Sequence, residues 1–385
     1  MSTQGSIKRD ESGKWFYVVD VVGLDGKRRQ SKRRGFATKK AAQVALTELQ
    51  ADKQRGVFVA AERTTLGQFL IEDWLPARRA SLRPSTVVSY EQLIRNYVLP
   101  RIGGVRLQAV DGPTLNRLYA DLLESGRIDT RKMAHGAGLA PKTVRNLHGV
   151  LTKAFRDAIR WDRVQRNPCD AADPPKGASP EMKAWTSDEI RTFVRSVQSH
   201  RWVAVWTLLA TTGMRRGEIL GLRWSDMDLE AGSLTIVSTR IRYGKTTAES
   251  TPKTARGNRT IAMGPATVAV LRTWRKQQTA DRLLMGSGWQ NVGDHVVTLP
   301  DGTAPNPEAF SNLFGDLVKR AGLPSIRFHD FRHSYATSAL ASGVPVKVVS
   351  QRIGHADVGV TLKVYAHVLP GDDEDAAARA DSLLG

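Results

Sequence analysis

Thr211-Thr-Gly-Met-Arg-Arg-Gly-Glu-Ile-Leu-Gly-Leu-Arg-Trp224 is the stretch on which the reading of this chain turns. The apolar run from Trp202 to Thr211 predicts a helix, and Gly213 breaks it, since glycine readily adopts the backbone conformations that end helices. Arg215 is then expected in the first turn of a new helix. Alone, such an arginine reads as a surface ion pair. Two later stretches change its standing. His329-Asp-Phe-Arg-His333 sets His329 and Arg332 on one helix face through their i,i+3 spacing. Ile353-Gly-His-Ala-Asp-Val-Gly-Val-Thr-Leu-Lys-Val-Tyr-Ala-His367 places His355 ten residues before Tyr365.

Metal chemistry does not fit these residues. His329 and His333 have i,i+4 spacing, but Asp330 stands where a zinc protease would carry glutamate, and no further ligand cluster accompanies them. No metal and no cofactor is expected. Charge points instead to a polyanion. The 57 Lys and Arg outnumber the 38 Asp and Glu, for a net charge of +19 over 385 residues. The excess is spread along the chain: +7 over residues 1–63, +7 over 64–176 and +5 over 177–385, the last despite an acidic segment at 372–375. A chain basic throughout can meet nucleic acid with every part. Its 41% hydrophobic content is ample for folded cores. The lone Cys169 excludes an intrachain disulfide framework, and no apolar run is long enough to cross a membrane. Cytoplasmic residence is the expectation.

Working outward, residues 1–63 read as a small β module followed by a helix. Lys14-Trp-Phe-Tyr-Val-Val-Asp-Val-Val22 has the aromatic and β-branched content of a strand, and Gly23-Leu-Asp-Gly26 signals a turn. Lys27-Arg-Arg-Gln-Ser-Lys-Arg-Arg34 answers as the partner strand, and Thr38 is placed to cap a helix from Lys39 to about Arg55. Such a ribbon can enter a DNA groove, so Arg28, Arg29, Lys32, Arg33 and Arg34 are candidate DNA contacts. Residues 64–172 read as helical, with starts near Thr65, Pro84, Pro113 and Pro141, and residues 173–180 as a breaker-rich linker. From 181 to 385 helices surround a β segment. There Ser233-Leu-Thr-Ile-Val-Ser-Thr239 and Arg259-Thr-Ile-Ala-Met263 are strand-like runs on either side of a polar turn.

Together these pieces resemble the tyrosine recombinase (phage integrase) family. Its pattern is an arginine in T-G-x-R-x-x-E, a lysine on a β-hairpin, H-x-x-R, then G-H and a tyrosine about ten residues on. Arg215, Lys253, His329 with Arg332, His355 and Tyr365 match it in order and spacing. The resemblance implies a mainly α fold with small β elements (α+β). It would comprise a three-stranded arm-binding-like module plus helix at 1–63, a helical core-binding (SAM-like) domain at 64–172, a linker at 173–180 and a mixed α/β catalytic domain at 181–385. It implies a site-specific recombinase that breaks and rejoins DNA through a 3′-phosphotyrosine, without metal, to integrate and excise a mobile element. The implied partners are double-stranded attachment sites, further copies of the chain in a DNA-bound tetramer, an excision factor and a host DNA-bending protein. A type IB topoisomerase and a catalytically silent DNA-binding regulator are the competing classes. The arm-like module speaks against the first, the intact set of six residues against the second.

The chemistry needs these residue types. A phosphodiester is shielded by its negative oxygens, and attack creates a five-coordinate phosphorane with added charge on the non-bridging oxygens. Two guanidiniums, Arg215 and Arg332, can clamp them through planar, forked hydrogen bonds, with His355 as a further donor. Tyr365, with an unperturbed pKa of ~10, needs a base during attack, and the family's candidate is His329. Lys253 holds the position of the hairpin acid that protonates the leaving 5′-oxygen. Neighbours leave alternatives open: Arg216 for Arg215, Arg256 or Arg259 for Lys253, and His333 for His329.

Overall fold

The computed structural model describes residues 5–22, 28–54, 62–128, 136–177, 183–243, 246–250, 258–291, 293–355, 357–366 and 381. The chain divides into two compact units, Met1–Ser179 and Pro180–Gly385. Both are mainly helical with small antiparallel sheets. The turn at 23–26, Lys253 and the acidic segment at 372–375 lie outside the described residues.

In the first unit, Ser6–Arg9 (β1), Trp15–Val22 (β2) and Arg28–Phe36 (β3) form an antiparallel sheet in that order. Alternation along β2 sorts its side chains between two faces. Tyr17 and Val19 are buried with Leu46 of the Lys39–Gln54 helix, joined by Ile7 and Phe36. The opposite face carries Phe16, with the Lys32 ammonium 3.9 Å from its ring centroid and the Arg34 guanidinium at 5.8 Å. The Thr38 hydroxyl accepts from the Ala41 amide at 3.1 Å and so caps the helix.

Residues 65–172 pack helices around one apolar cluster that includes Leu66, Phe69, Leu115, Leu147 and Phe155. Thr65 and Gln68 open the segment with a reciprocal capping box. The buried Asp157 on the Pro141–Arg160 helix accepts from the Trp74 indole at 2.8 Å and from Arg78 Nε at 2.7 Å. A buried carboxylate is tolerated only when so partnered.

The second unit is built on aromatic rings: Trp185, Phe193, Trp206, Phe310, Phe314 and Phe331. Trp206 and Phe310 stack at 4.9 Å and 15°. One sheet pairs Ser233–Ile236 with Arg259–Ala262, Leu234 opposite Ile261. The sequence run ending at Thr239 is not one strand. It breaks after Ile236, and Thr239–Tyr243 pairs with Thr246–Ser250 as a separate hairpin where only a polar turn is expected. That hairpin interleaves Ile241 with Thr239, Arg240 and Arg242, so it lacks the apolar face by which strands are recognised. Among the described residues, no helix is long and apolar enough to cross a membrane.

Candidate active site

Gly213 organises the first wall of the site. It ends the Val203–Thr212 helix with φ +62°, and a Cβ there would lie 2.3 Å from Cδ1 of Tyr335. Only glycine meets both demands. Arg215 is not in the first helical turn, as the sequence suggests, but is the extended residue capping the Arg216–Gly221 helix. The shift has a cause: Glu218 folds back so that its carboxylate accepts the Arg215 amide at 2.8 Å and Nη1 at 2.7 Å. Arg215 Nη2 also donates to the Gly354 carbonyl at 3.1 Å.

Arg332 is only 4% exposed and lies on the Phe328–Ala341 helix. Its Nη1 donates to the Gly213 carbonyl at 2.9 Å and its Nη2 to the Ile353 carbonyl. These carbonyls sit at the C-terminal ends of the Val203–Thr212 and Val346–Ile353 helices. The negative ends of two helix dipoles therefore face the guanidinium and help to offset its burial. Burial, followed by the neighbouring charge of Arg215, still pulls the Arg332 pKa down to about 9.

Glu218 is a buried carboxylate held inside this basic cluster. Besides Arg215 it accepts both terminal nitrogens of Arg259, at 2.9 and 3.1 Å, while Arg259 Nε holds the Arg352 carbonyl at 2.7 Å. Burial opposes its ionisation. The hydrogen bonds and charge of Arg259, then Arg215, prevail and draw the carboxyl down to about 2. A cavity of about 340 Å³ is lined by Arg215, Arg216, Arg332, His329, Met214 and Phe328. Arg216 donates Nη1 to the Ser311 hydroxyl at 2.8 Å. The three guanidiniums in the cavity walls suit a compact anion.

The other candidate groups pack beside it. His355 Nδ1 lies 2.8 Å from the hydroxyl of the fully buried Thr361, which ties the ring to the Val358–Tyr365 helix. Burial, then the charges of Arg332 and Arg215, lower its pKa to about 4. Tyr365 closes that helix with no exposed surface, in an apolar cluster with Ala336, Leu340, Val349 and Ile353. Burial raises its phenol to about 12 against the lowering pull of Arg332. The hydroxyl is 2.6 Å from Nδ1 of His333.

Comparison with known proteins settles the affiliation. Residues 183–371 match the phage integrase family, residues 65–123 the N-terminal SAM-like domain of phage integrases and residues 6–53 an arm DNA-binding domain. The chain belongs to the phage integrase family. It is a tyrosine-type site-specific DNA recombinase. Relatives of this integrase include a XerC-like tyrosine recombinase of Caldanaerobacter subterraneus, 28% identical over 97% of this chain and 98% of the relative. The ICEBs1 integrase of Bacillus subtilis is 28% identical over 66% of this chain and 70% of its own. The Tn1549 transposon integrase, solved with transposon right-end DNA, shares the fold at TM-score 0.66 and 22% identity, covering 83% of this chain and all of that one.

In this integrase Arg215, His329 and Arg332 converge on one cavity, while His355 and Tyr365 lie on the adjoining helix and its approach. Lys253 falls in 251–257, outside the described residues. Arg28 and Arg29 belong to β3, though their side chains are not described; Lys32, Arg33 and Arg34 are exposed. Arg259, which the sequence offers only as an alternative to Lys253, is instead the partner of Glu218, a pairing that sequence reasoning does not reach. Glu218 was visible as the last letter of T-G-x-R-x-x-E, but its bond to Arg259, 41 residues on, left no local signal.

Proposed function

We propose that this integrase cuts and rejoins duplex attachment sites with Tyr365 as nucleophile. Arg215 and Arg332 clamp the non-bridging oxygens of the scissile phosphate, His329 and His355 border the same phosphate, and Lys253 protonates the leaving 5′-oxygen. The observation that carries the reading is the convergence of two guanidiniums and His329 on one cavity, beside a phenol that feels the charge of Arg332. Preorganised donors of this kind are each worth about 10²–10³ in rate. The 3′-phosphotyrosyl link conserves the energy of the broken phosphodiester, so religation needs no nucleotide cofactor.

Arm-site contact through Arg28, Arg29, Lys32, Arg33 and Arg34 accords with the arm DNA-binding match over residues 6–53. A tetramer joining two DNA sites is the working assembly, a reading supported by the lambda integrase tetramer on a Holliday junction, which has a similar fold at TM-score 0.55 and 15% identity. An excision factor and a host bending protein set direction, and the reaction takes place at the bacterial nucleoid.

The test uses nicked DNA bearing the attachment core. The full-length protein is expected to form a denaturation-resistant protein–DNA adduct, and Tyr365→Phe is expected to form none. An adduct of wild-type yield from Tyr365→Phe refutes the assignment.

A further inference from the structure

The two histidines of the Phe328–Ala341 helix face different partners. His329 lines the cavity with Arg215 and Arg332. His333, one turn along, presents Nδ1 to the Tyr365 hydroxyl at 2.6 Å. The His329 ring meets the His333 ring edge-on, with centroids 4.9 Å apart. A general base must lie within hydrogen-bond reach of the proton that it removes, and geometry ranks before affinity. By that criterion the phosphate and the nucleophile have separate histidines. We infer that His333, rather than His329, is the catalytic base that takes the proton of Tyr365 during strand cleavage. The inference rests on the reading of Tyr365 as nucleophile and deepens it.

The hydrogen-bond direction follows from burial. Tyr365 has no exposed surface, and a buried hydroxyl proton requires an acceptor. His333 is kept neutral, its pKa lowered to about 4 by burial and then by His329. A neutral imidazole with its hydrogen on Nε2 offers Nδ1 as that acceptor. In cleavage the phenol O–H bond breaks and its proton passes to Nδ1, while the electron pair left on oxygen forms the bond to phosphorus. The phosphorus–O5′ bond breaks in turn, and the 5′-oxygen takes its proton from a separate donor, Lys253 in the proposed set. Religation reverses each transfer, and the His333 imidazolium returns the proton to the tyrosine oxygen. The phenol holds its proton far more tightly than the free imidazole does. Transfer therefore accompanies bond formation instead of preceding it, and the docked phosphodiester supplies negative charge that favours the imidazolium.

The experiment measures the rate of adduct formation on nicked core DNA with the full-length protein. His333→Ala is expected to slow it by ~10²–10⁴, the span typical of a lost general base. Replacing Tyr365 by a ring-fluorinated tyrosine, whose phenol is more acidic, is expected to restore on the order of tenfold in the His333→Ala background and much less in the His329→Ala background, since an acidic nucleophile depends less on a base. A misfolded variant would gain nothing from that replacement. His333→Asn keeps an acceptor for the hydroxyl but cannot take up the proton, and it is expected to remain slow. The inference is overturned if His333→Asn restores the rate, if His333→Ala is as fast as wild type, or if fluorination rescues His329→Ala and not His333→Ala. An adduct from Tyr365→Phe would instead overturn the nucleophile reading, so the two failures are distinguishable.

Discussion

Glu218→Gln isolates the charge at the centre of the arginine cluster. Glutamine keeps an amide oxygen that can accept the Arg215 N–H, so the helix cap survives and only the negative charge is lost. Glu218 is 4% exposed and bonded to both Arg215 and Arg259. Its carboxyl lies at about 2, against an ordinary 4.5. At 1.36 kcal/mol per unit this difference corresponds to about 3 kcal/mol, close to the ~3–5 kcal/mol typical of breaking a buried pair. Because the folded value lies below the unfolded one, the contribution is complete above about 4.5 and fades as pH falls towards 2. Guanidinium unfolding of wild type and Glu218→Gln, followed by tryptophan fluorescence, should show a gap of about 3 kcal/mol at pH 7 that shrinks to about 1 kcal/mol at pH 3. An equal gap at both pH values, or none at pH 7, refutes the reasoning. Adduct formation should also fall, by about tenfold or more, as Arg215 loses its anchor.

Two further outcomes follow from the geometry. Gly213→Ala forces a Cβ towards Tyr335 at φ +62°, displacing the carbonyl that holds Arg332; a loss of about 1–3 kcal/mol and of adduct formation is expected, and unchanged thermal melting would count against the tight fit. The pair Lys32→Ala and Arg34→Ala removes the two cations over Phe16, so the slope of log affinity against log salt for duplex DNA should flatten by about 2; an unchanged slope would move the DNA to another face of the sheet.

Much of the site is legible in the sequence because it is written locally. Glycine placement marks where a helix ends, and i,i+3 spacing puts His329 and Arg332 on one face. The Thr239–Tyr243 and Thr246–Ser250 hairpin is not legible there, because its polar alternation carries no hydrophobic signal. Placing Arg215 in the helical turn missed the cap for a similar reason. The carboxylate that sets it is three residues away in sequence but becomes decisive only when buried beside Arg259.

From sequence alone came the residue types for phosphoryl transfer, their order and the basic character that draws the chain to DNA. Tertiary structure decided which histidine touches the tyrosine. His329 and His333 differ by one helical turn, and spacing puts both near Arg332; only the packing of the Val358–Tyr365 helix brings the Tyr365 hydroxyl to His333. It also decided that the phenol is buried and that Glu218 joins Arg215 to Arg259. Local spacing fixes which face a side chain occupies, but what that face meets depends on contacts between segments tens of residues apart.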